Sequence, residues 1–155
     1  MPNRKPSDLV ILITGATSGL GKALAEAAGR AGANLALCGR SRDKLDPLLR
    51  ELDAMAIPGR IHAEAFDATE ASQVGAFVER TLAALGRIDV LVNCAGANTA
   101  RGPVAGLTVG DLEAMMALNC LSPLAFIQAC HPPMAAQGGG LMVNILSTVC
   151  RFSNE

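Results

Sequence analysis

The sequence predicts a doubly wound parallel α/β sheet that breaks off after about the fifth strand. Short β-rich apolar runs alternate with longer stretches whose apolar residues recur every three or four positions. The first run is apolar on successive residues and the fourth nearly so, as strands covered on both faces should be. At 155 residues the chain makes about one domain, enough to bury a single core. Parallel strands joined by helices cross over with right-handed chirality, so five such units wind into one open sheet with helices on both sides.

The elements follow in order. Residues 9–14 form the first strand, and the helix after it carries Leu20, Ala23, Leu24, Ala27, Ala28 and Ala31 on one stripe, closing at Gly32. Residues 34–38 form the second strand. Leu45, Leu48, Leu49 and Leu52 make the apolar face of a second helix, in which Pro47 is tolerable only in the first turn, where no N–H is needed. The third strand spans 61–66, and Val74, Phe77, Val78, Leu82 and Leu85 stripe a third helix before a fourth strand over 88–94. Residues 108–137 read as helical, kinked by Pro123, before the Gly138-Gly139-Gly140 break and a fifth strand over 141–146.

Composition narrows the function. Half the residues are apolar and 17% are charged, too hydrophobic for disorder, and the longest apolar runs fall short of a membrane span. A net charge of −1, from 13 basic and 14 acidic side chains, supplies no attraction for nucleic acid or an anionic membrane, and neither partner is expected. The aromatic share of 3% argues against base-stacking platforms. Cys38, Cys94, Cys120, Cys130 and Cys150 are scattered, odd in number and without a C-x-x-C pair, which argues against a disulfide framework and a zinc site and fits a reducing cytoplasm. No metal centre is expected; His62 and His131 stand apart from any carboxylate cluster. Residues 1–8, polar and proline-punctuated, read as a short flexible lead-in.

The sharpest local signal is Thr14-Gly15-Ala16-Thr17-Ser18-Gly19-Leu20-Gly21, between the first strand and first helix. Gly15 turns the chain, Gly19 removes a Cβ where a diphosphate must approach, and Gly21 allows close packing of the helix. The helix start offers unpaired N–H groups and a positive dipole end to an anion. The end of the second strand selects the dinucleotide. An NAD site commonly places a carboxylate there for the ribose hydroxyls, but the residues are Gly39-Arg40-Ser41-Arg42. The Arg40 guanidinium suits a 2′-phosphate, helped by Ser41 or Arg42, so NADP is favoured over NAD. Arg42 and Lys44 are read more simply as solvating the start of the second helix.

With these features in order, the chain resembles the short-chain dehydrogenase/reductase family from Leu9 to Ser147. The turn matches the T-G-x-x-x-G-x-G pattern at Thr14, Gly15, Gly19 and Gly21. Asp67, in Phe66-Asp67-Ala68, matches the aspartate that contacts adenine. Asn93-Cys94-Ala95-Gly96 matches the N-N-A-G motif with Cys94 replacing an asparagine, Asn119 falls where an asparagine supports a proton relay, and Ser147 falls where the catalytic serine follows the fifth strand. The resemblance implies a Rossmann-like domain over residues 9–155, incomplete at its C-terminal end. Its implied cofactor residues are Gly15, Thr17, Ser18, Gly19, Leu20, Gly21, Arg40, Asp67, Ala68, Asn93, Ala95 and Gly96, and its implied catalytic residues are Ser147 and Asn119.

The resemblance also implies hydride transfer between NADP(H) and a small carbonyl or alcohol, with a tyrosine as proton donor or acceptor and a lysine depressing its pKa. The chain has no tyrosine, and Lys5, Lys22 and Lys44 all precede the third strand. It therefore looks like the cofactor-binding portion of a longer, homo-oligomeric reductase, a partial sequence or a truncated gene product. On its own it is expected not to turn over, and to aggregate through Leu121, Leu124, Phe126 and Ile127. A non-catalytic dinucleotide-binding module is the alternative. A methyltransferase is disfavoured because Gly39-Arg40 offers the wrong charge for its cofactor's ribose.

Overall fold

In a computed structural model the chain is described over residues 4–98 and 103–147. Five parallel strands, β1 (Val10–Thr14), β2 (Asn34–Gly39), β3 (Ile61–Ala65), β4 (Val90–Asn93) and β5 (Leu141–Asn144), lie in the order β3-β2-β1-β4-β5. Helices α1 (Gly19–Arg30) and α2 (Arg42–Ala54) cover one face; α3 (Ala71–Leu85) and α5 (Ser122–Ala136) cover the other. Alternation along each strand divides the core accordingly. Val10, Leu12, Ala36 and Leu91 meet Phe77 and Phe126, whereas Ile13, Leu35, Leu37 and Val92 meet Ala25, Leu45, Leu48 and Leu52. The fold class is the one expected from the alternation of apolar runs.

Several elements differ from expectation. The buried stripe of α1 is Gly21, Ala25 and Gly29, while Leu20, Ala23, Ala27 and Ala31 are exposed. Small residues let this helix lie close, so its contact line follows the glycines rather than the larger apolar side chains. Pro47 is the sixth residue of α2, beyond the first turn, and removes the bond that the Asp43 carbonyl would receive. Burial of Leu45, Leu48 and Leu52 holds the helix together across that gap. The expected long helix divides into α4 (Val109–Met116), a π-turn over Ala117–Leu121, and α5, with the wide turn falling just before Pro123. Thr108 starts it with a capping box: its hydroxyl accepts from Asp111 N–H and its own N–H donates to the Asp111 carboxylate.

Phe126 is fully buried rather than uncovered, because it faces α3; Leu121 and Leu124 are exposed as expected. The stretch Val109–Ala136 is 28 residues long and, against expectation, apolar enough by length and composition to cross a bilayer. Phe126, Cys130 and Met134 nevertheless pack it onto the sheet. The polar lead-in, read as flexible, touches the sheet from Arg4 onward. Arg4 Nη1 donates to the buried Asp89 carboxylate at 2.7 Å, which also accepts from Arg87 and from the Val10 N–H. That cluster fixes the starts of β1 and β4 relative to each other.

Candidate functional site

The strand order reverses direction between β1 and β4, and a crevice opens there beyond the carboxyl ends of the strands. It encloses about 690 Å³ and is lined by Gly15, Thr17, Ser18, Gly19 and Leu20 from the glycine turn, Gly39, Arg40, Ser41 and Lys44 from the β2–α2 junction, and Phe66, Asp67, Ala68 and Thr69 beyond β3. Cys94 to Ala97 and Ile145 complete the wall, with Ala114, Ala117 and Leu118 across the mouth. Ten of the twelve residues expected to line a cofactor therefore converge: Gly15, Thr17, Ser18, Gly19, Leu20, Arg40, Asp67, Ala68, Ala95 and Gly96. Gly21, Asn93, Asn119 and Ser147 lie outside the lining.

The turn is built by close approach. Gly15 has φ +64°, and a Cβ on it would stand 2.7 Å from the Ala95 Cα. A Cβ on Gly21 would stand 2.4 Å from the Gly15 carbonyl oxygen. Gly19, at φ +51°, would meet nothing, so its backbone faces open crevice. The Ser18 side chain makes no capping hydrogen bond, and the first intrahelical bond runs from Lys22 N–H to the Ser18 carbonyl, leaving the α1 N-terminus directed at the crevice.

Thr14 ties this turn to the loop after β4. Its buried hydroxyl oxygen accepts from the Cys94 N–H at 3.1 Å and the Ala95 N–H at 3.0 Å. Two thiols bracket the turn. Burial pushes Cys38 up to about 12, against a hydrogen bond from the Gly15 backbone, and burial likewise raises Cys94 against one from Gly21.

Two cations approach from the other side. Arg42 pairs with Asp46 at 3.4 Å, whereas Arg40 and Lys44 line the crevice and form no salt bridge among the described residues. Lys44, read from the sequence like Arg42 as solvating the start of the second helix, lines the crevice, whereas Arg42 does not. Asp67 Oδ1 accepts from the Thr69 N–H at 3.0 Å and hydroxyl at 2.8 Å. These bonds, with the Arg40 charge adding to them, hold the Asp67 carboxyl below its ordinary range.

Asn119 sits in the π-turn and reaches the site indirectly. Its Oδ1 accepts from the Ala97 N–H at 3.0 Å and its Nδ2 donates to the Ala97 carbonyl at 2.9 Å, so the carboxamide clamps the loop as a neighbouring strand would. Pro123, four residues on, has no N–H to give the Asn119 carbonyl. Ser147 is exposed beyond β5, two residues past crevice-lining Ile145. Phe66, Thr69, Ala97, Ala114 and Ile145 are among the lining residues for which no sequence signal stood out, whereas Thr14, outside the lining, was marked as the first letter of the glycine motif.

The arrangement can hold an elongated anion against the α1 N-terminus, with a cationic end at β2 and a polar end at β4 and β5. Comparison with known proteins agrees with that reading of the fold. A dehydrogenase/reductase SDR family member 7B from Xenopus tropicalis is 35% identical over 150 residues, 94% of this chain and 48% of that protein. The chain thus spans about half the length of the curated relatives it matches. A short-chain type dehydrogenase/reductase from Mycobacterium ulcerans superposes with a TM-score of 0.90 at 30% identity, covering 95% of this chain and 54% of that one. A metagenomic short-chain oxidoreductase solved in complex with NADP superposes with a TM-score of 0.83 at 35% identity, covering 90% and 62%. The family model for short chain dehydrogenases matches residues 9–155, and the chain belongs to the short-chain dehydrogenase/reductase family of oxidoreductases.

Proposed function

We propose that this chain is the cofactor-binding part of an NADP-dependent oxidoreductase acting on a small carbonyl or alcohol. The observation that carries the reading is a guanidinium, Arg40, lining the crevice at the end of β2, where an NAD site would hold a carboxylate. The residues fit the group: the open face of Gly19 and the α1 N-terminus suit a diphosphate, Arg40 with Lys44 and Ser41 suits a 2′-phosphate, and Asp67 and Ala68 suit the adenine. When bound, the nicotinamide supplies the hydride donor or acceptor. Ala95 and Gly96 line its ribose, and Asn93 supports them from beneath. Ser147 orients the substrate oxygen, and Asn119 holds the loop at Ala97.

The chain contains no tyrosine, so no phenol in it can move the proton, and we place that step in residues outside it. A dinucleotide-binding module without chemistry is the second reading, favoured by the same absence. We assign the protein to the cytoplasm, without nucleic-acid or membrane partners, in keeping with a net charge of −1 and cysteines that are free among the described residues. Val109, Leu112, Met116, Leu121 and Leu124 are exposed along α4, the π-turn and α5, which supports a homo-oligomeric contact there in the whole protein.

Titration with NADPH and NADH tests the reading, since a ligand bound only by the native state raises the unfolding temperature. NADPH binds more tightly, and Arg40→Asp weakens it by about 10- to 100-fold, the loss of charge-assisted hydrogen bonds, while leaving NADH nearly unchanged. Equal effects on both dinucleotides, or no binding, would overturn it. NADPH consumption with a carbonyl substrate by this chain alone, abolished by Ser147→Ala, would refute the placement of the proton-transfer step.

A further inference from the structure

Asn93 and Asn144 close two neighbouring strands and are register partners. The Asn93 Nδ2 donates to the Asn144 Oδ1 at 2.9 Å, and the Ile145 N–H donates to the Asn93 carbonyl at 3.0 Å. Asn93 is 3% exposed, and its Oδ1 has no hydrogen-bond partner among the described residues. A buried carboxamide already short of one partner is sensitive to losing the other, because the whole group is then desolvated and unpaired. The Asn144 oxygen is what turns the Asn93 amide toward β5.

That link joins the strand that opens onto Cys94–Ala97 to the strand that opens onto Ile145–Ser147. On one side lie the backbone atoms that Thr14 and Asn119 clamp. On the other, Ile145 enters the crevice wall and Ser147 follows. The structure assigns Asn144 as a positioning residue: acting through Asn93, it sets where the turn bearing Ile145 and Ser147 stands against the cofactor loop. The ligand in this assignment rests on the dinucleotide reading above; the strand-to-strand link does not.

The test uses Asn144→Leu, of similar shape without an acceptor, Asn144→Asp, which keeps the acceptor, Asn93→Leu, and the Asn93→Leu/Asn144→Leu double variant. Two quantities are read: NADPH affinity, and amide hydrogen exchange at Ile145 in the chain without cofactor. Asn144→Leu weakens NADPH about three- to tenfold and speeds Ile145 exchange by a comparable factor, as for one lost neutral hydrogen bond. Asn144→Asp stays within about twofold on both readouts, and the double variant is no worse than Asn93→Leu alone. Equal behaviour of the Leu and Asp variants, unchanged Ile145 exchange in Asn144→Leu, or additive losses in the double variant would overturn the assignment. If the unsubstituted chain binds no NADPH, the dinucleotide reading fails, and the exchange measurement still decides the role of Asn144.

Discussion

Thr14 offers the most direct test of how the crevice is held open. It closes β1 at 1% exposure, and one hydroxyl oxygen serves the N–H groups of both Cys94 and Ala95. Thr14→Val keeps the shape and removes the acceptor, leaving two backbone donors against a methyl group. An unpaired buried donor costs about 1–3 kcal/mol; these two stand at the crevice wall, where water reaches one side, so the pair should cost about 2–3 kcal/mol. For a domain of this size that lowers the unfolding midpoint by about 4–12 °C. Thr14→Ser keeps the oxygen and loses one methyl, about 1 kcal/mol. Urea unfolding, with an unchanged dependence on denaturant, should rank wild type above Ser above Val. NADPH affinity should fall in the same order, because the Ala95-Gly96 loop loosens. A Val variant within about 0.5 kcal/mol of wild type, or one equal to Ser, would refute the argument.

Gly21→Ala should destabilise by about 1–3 kcal/mol and abolish the thermal shift with NADPH, since its Cβ would stand 2.4 Å from the Gly15 oxygen. Gly75→Ala in α3, where a Cβ meets nothing within 4 Å, should instead stabilise by about 0.5–1 kcal/mol; the same sign for both variants would contradict the contact geometry. A thiol reagent near neutral pH should modify exposed Cys120 first, NADPH should slow Cys94, and Cys38 and Cys130, both pushed up to about 12 by burial, should react only on unfolding. Cys150 lies outside the described residues. Arg80 holds Glu64 below its usual range, and Thr69 does the same for Asp67. A carboxylate lowered in the native state contributes stability above its unfolded pKa and loses it as pH falls through the folded value, so stability should hold from neutrality and decline below about pH 4. Arg80→Met should shallow that decline; parallel curves would show that Glu64 contributes nothing to it.

Most of the fold was legible because the central strands β1 and β4, covered on both faces, are apolar on nearly every residue, while the edge strand β3, Ile61–Ala65, alternates with His62 and Glu64, and glycine-bounded runs this short arbitrate for strand over helix. The site was legible where a residue type is tied to a backbone need: Gly15, Gly19 and Gly21 stand where a side chain would block the turn. It was less legible where the same side chain serves two settings. Lys44 and Arg42 look equivalent in sequence, and it is the structure that separates them: Lys44 lines the crevice, whereas Arg42 pairs with Asp46 outside it. Pro123 marked where the long helix would be interrupted, but not that the interruption takes the form of a π-turn over Ala117–Leu121, because a widened turn has no periodicity of its own. Pro47 misled because burial of the neighbouring leucines outweighs the missing hydrogen bond.

The sequence by itself determined the alternation of elements, the glycine turn, the basic end of β2 and the lack of a tyrosine, since each is a property of residue types in chain order. Tertiary structure alone decided which side chains meet: Thr14 with the Cys94-Ala95 backbone, Asn119 with Ala97, and Asn93 with Asn144, pairs separated by between 22 and 81 positions. Such contacts depend on strand order and register, which hydrophobic pattern leaves open until the sheet is assembled.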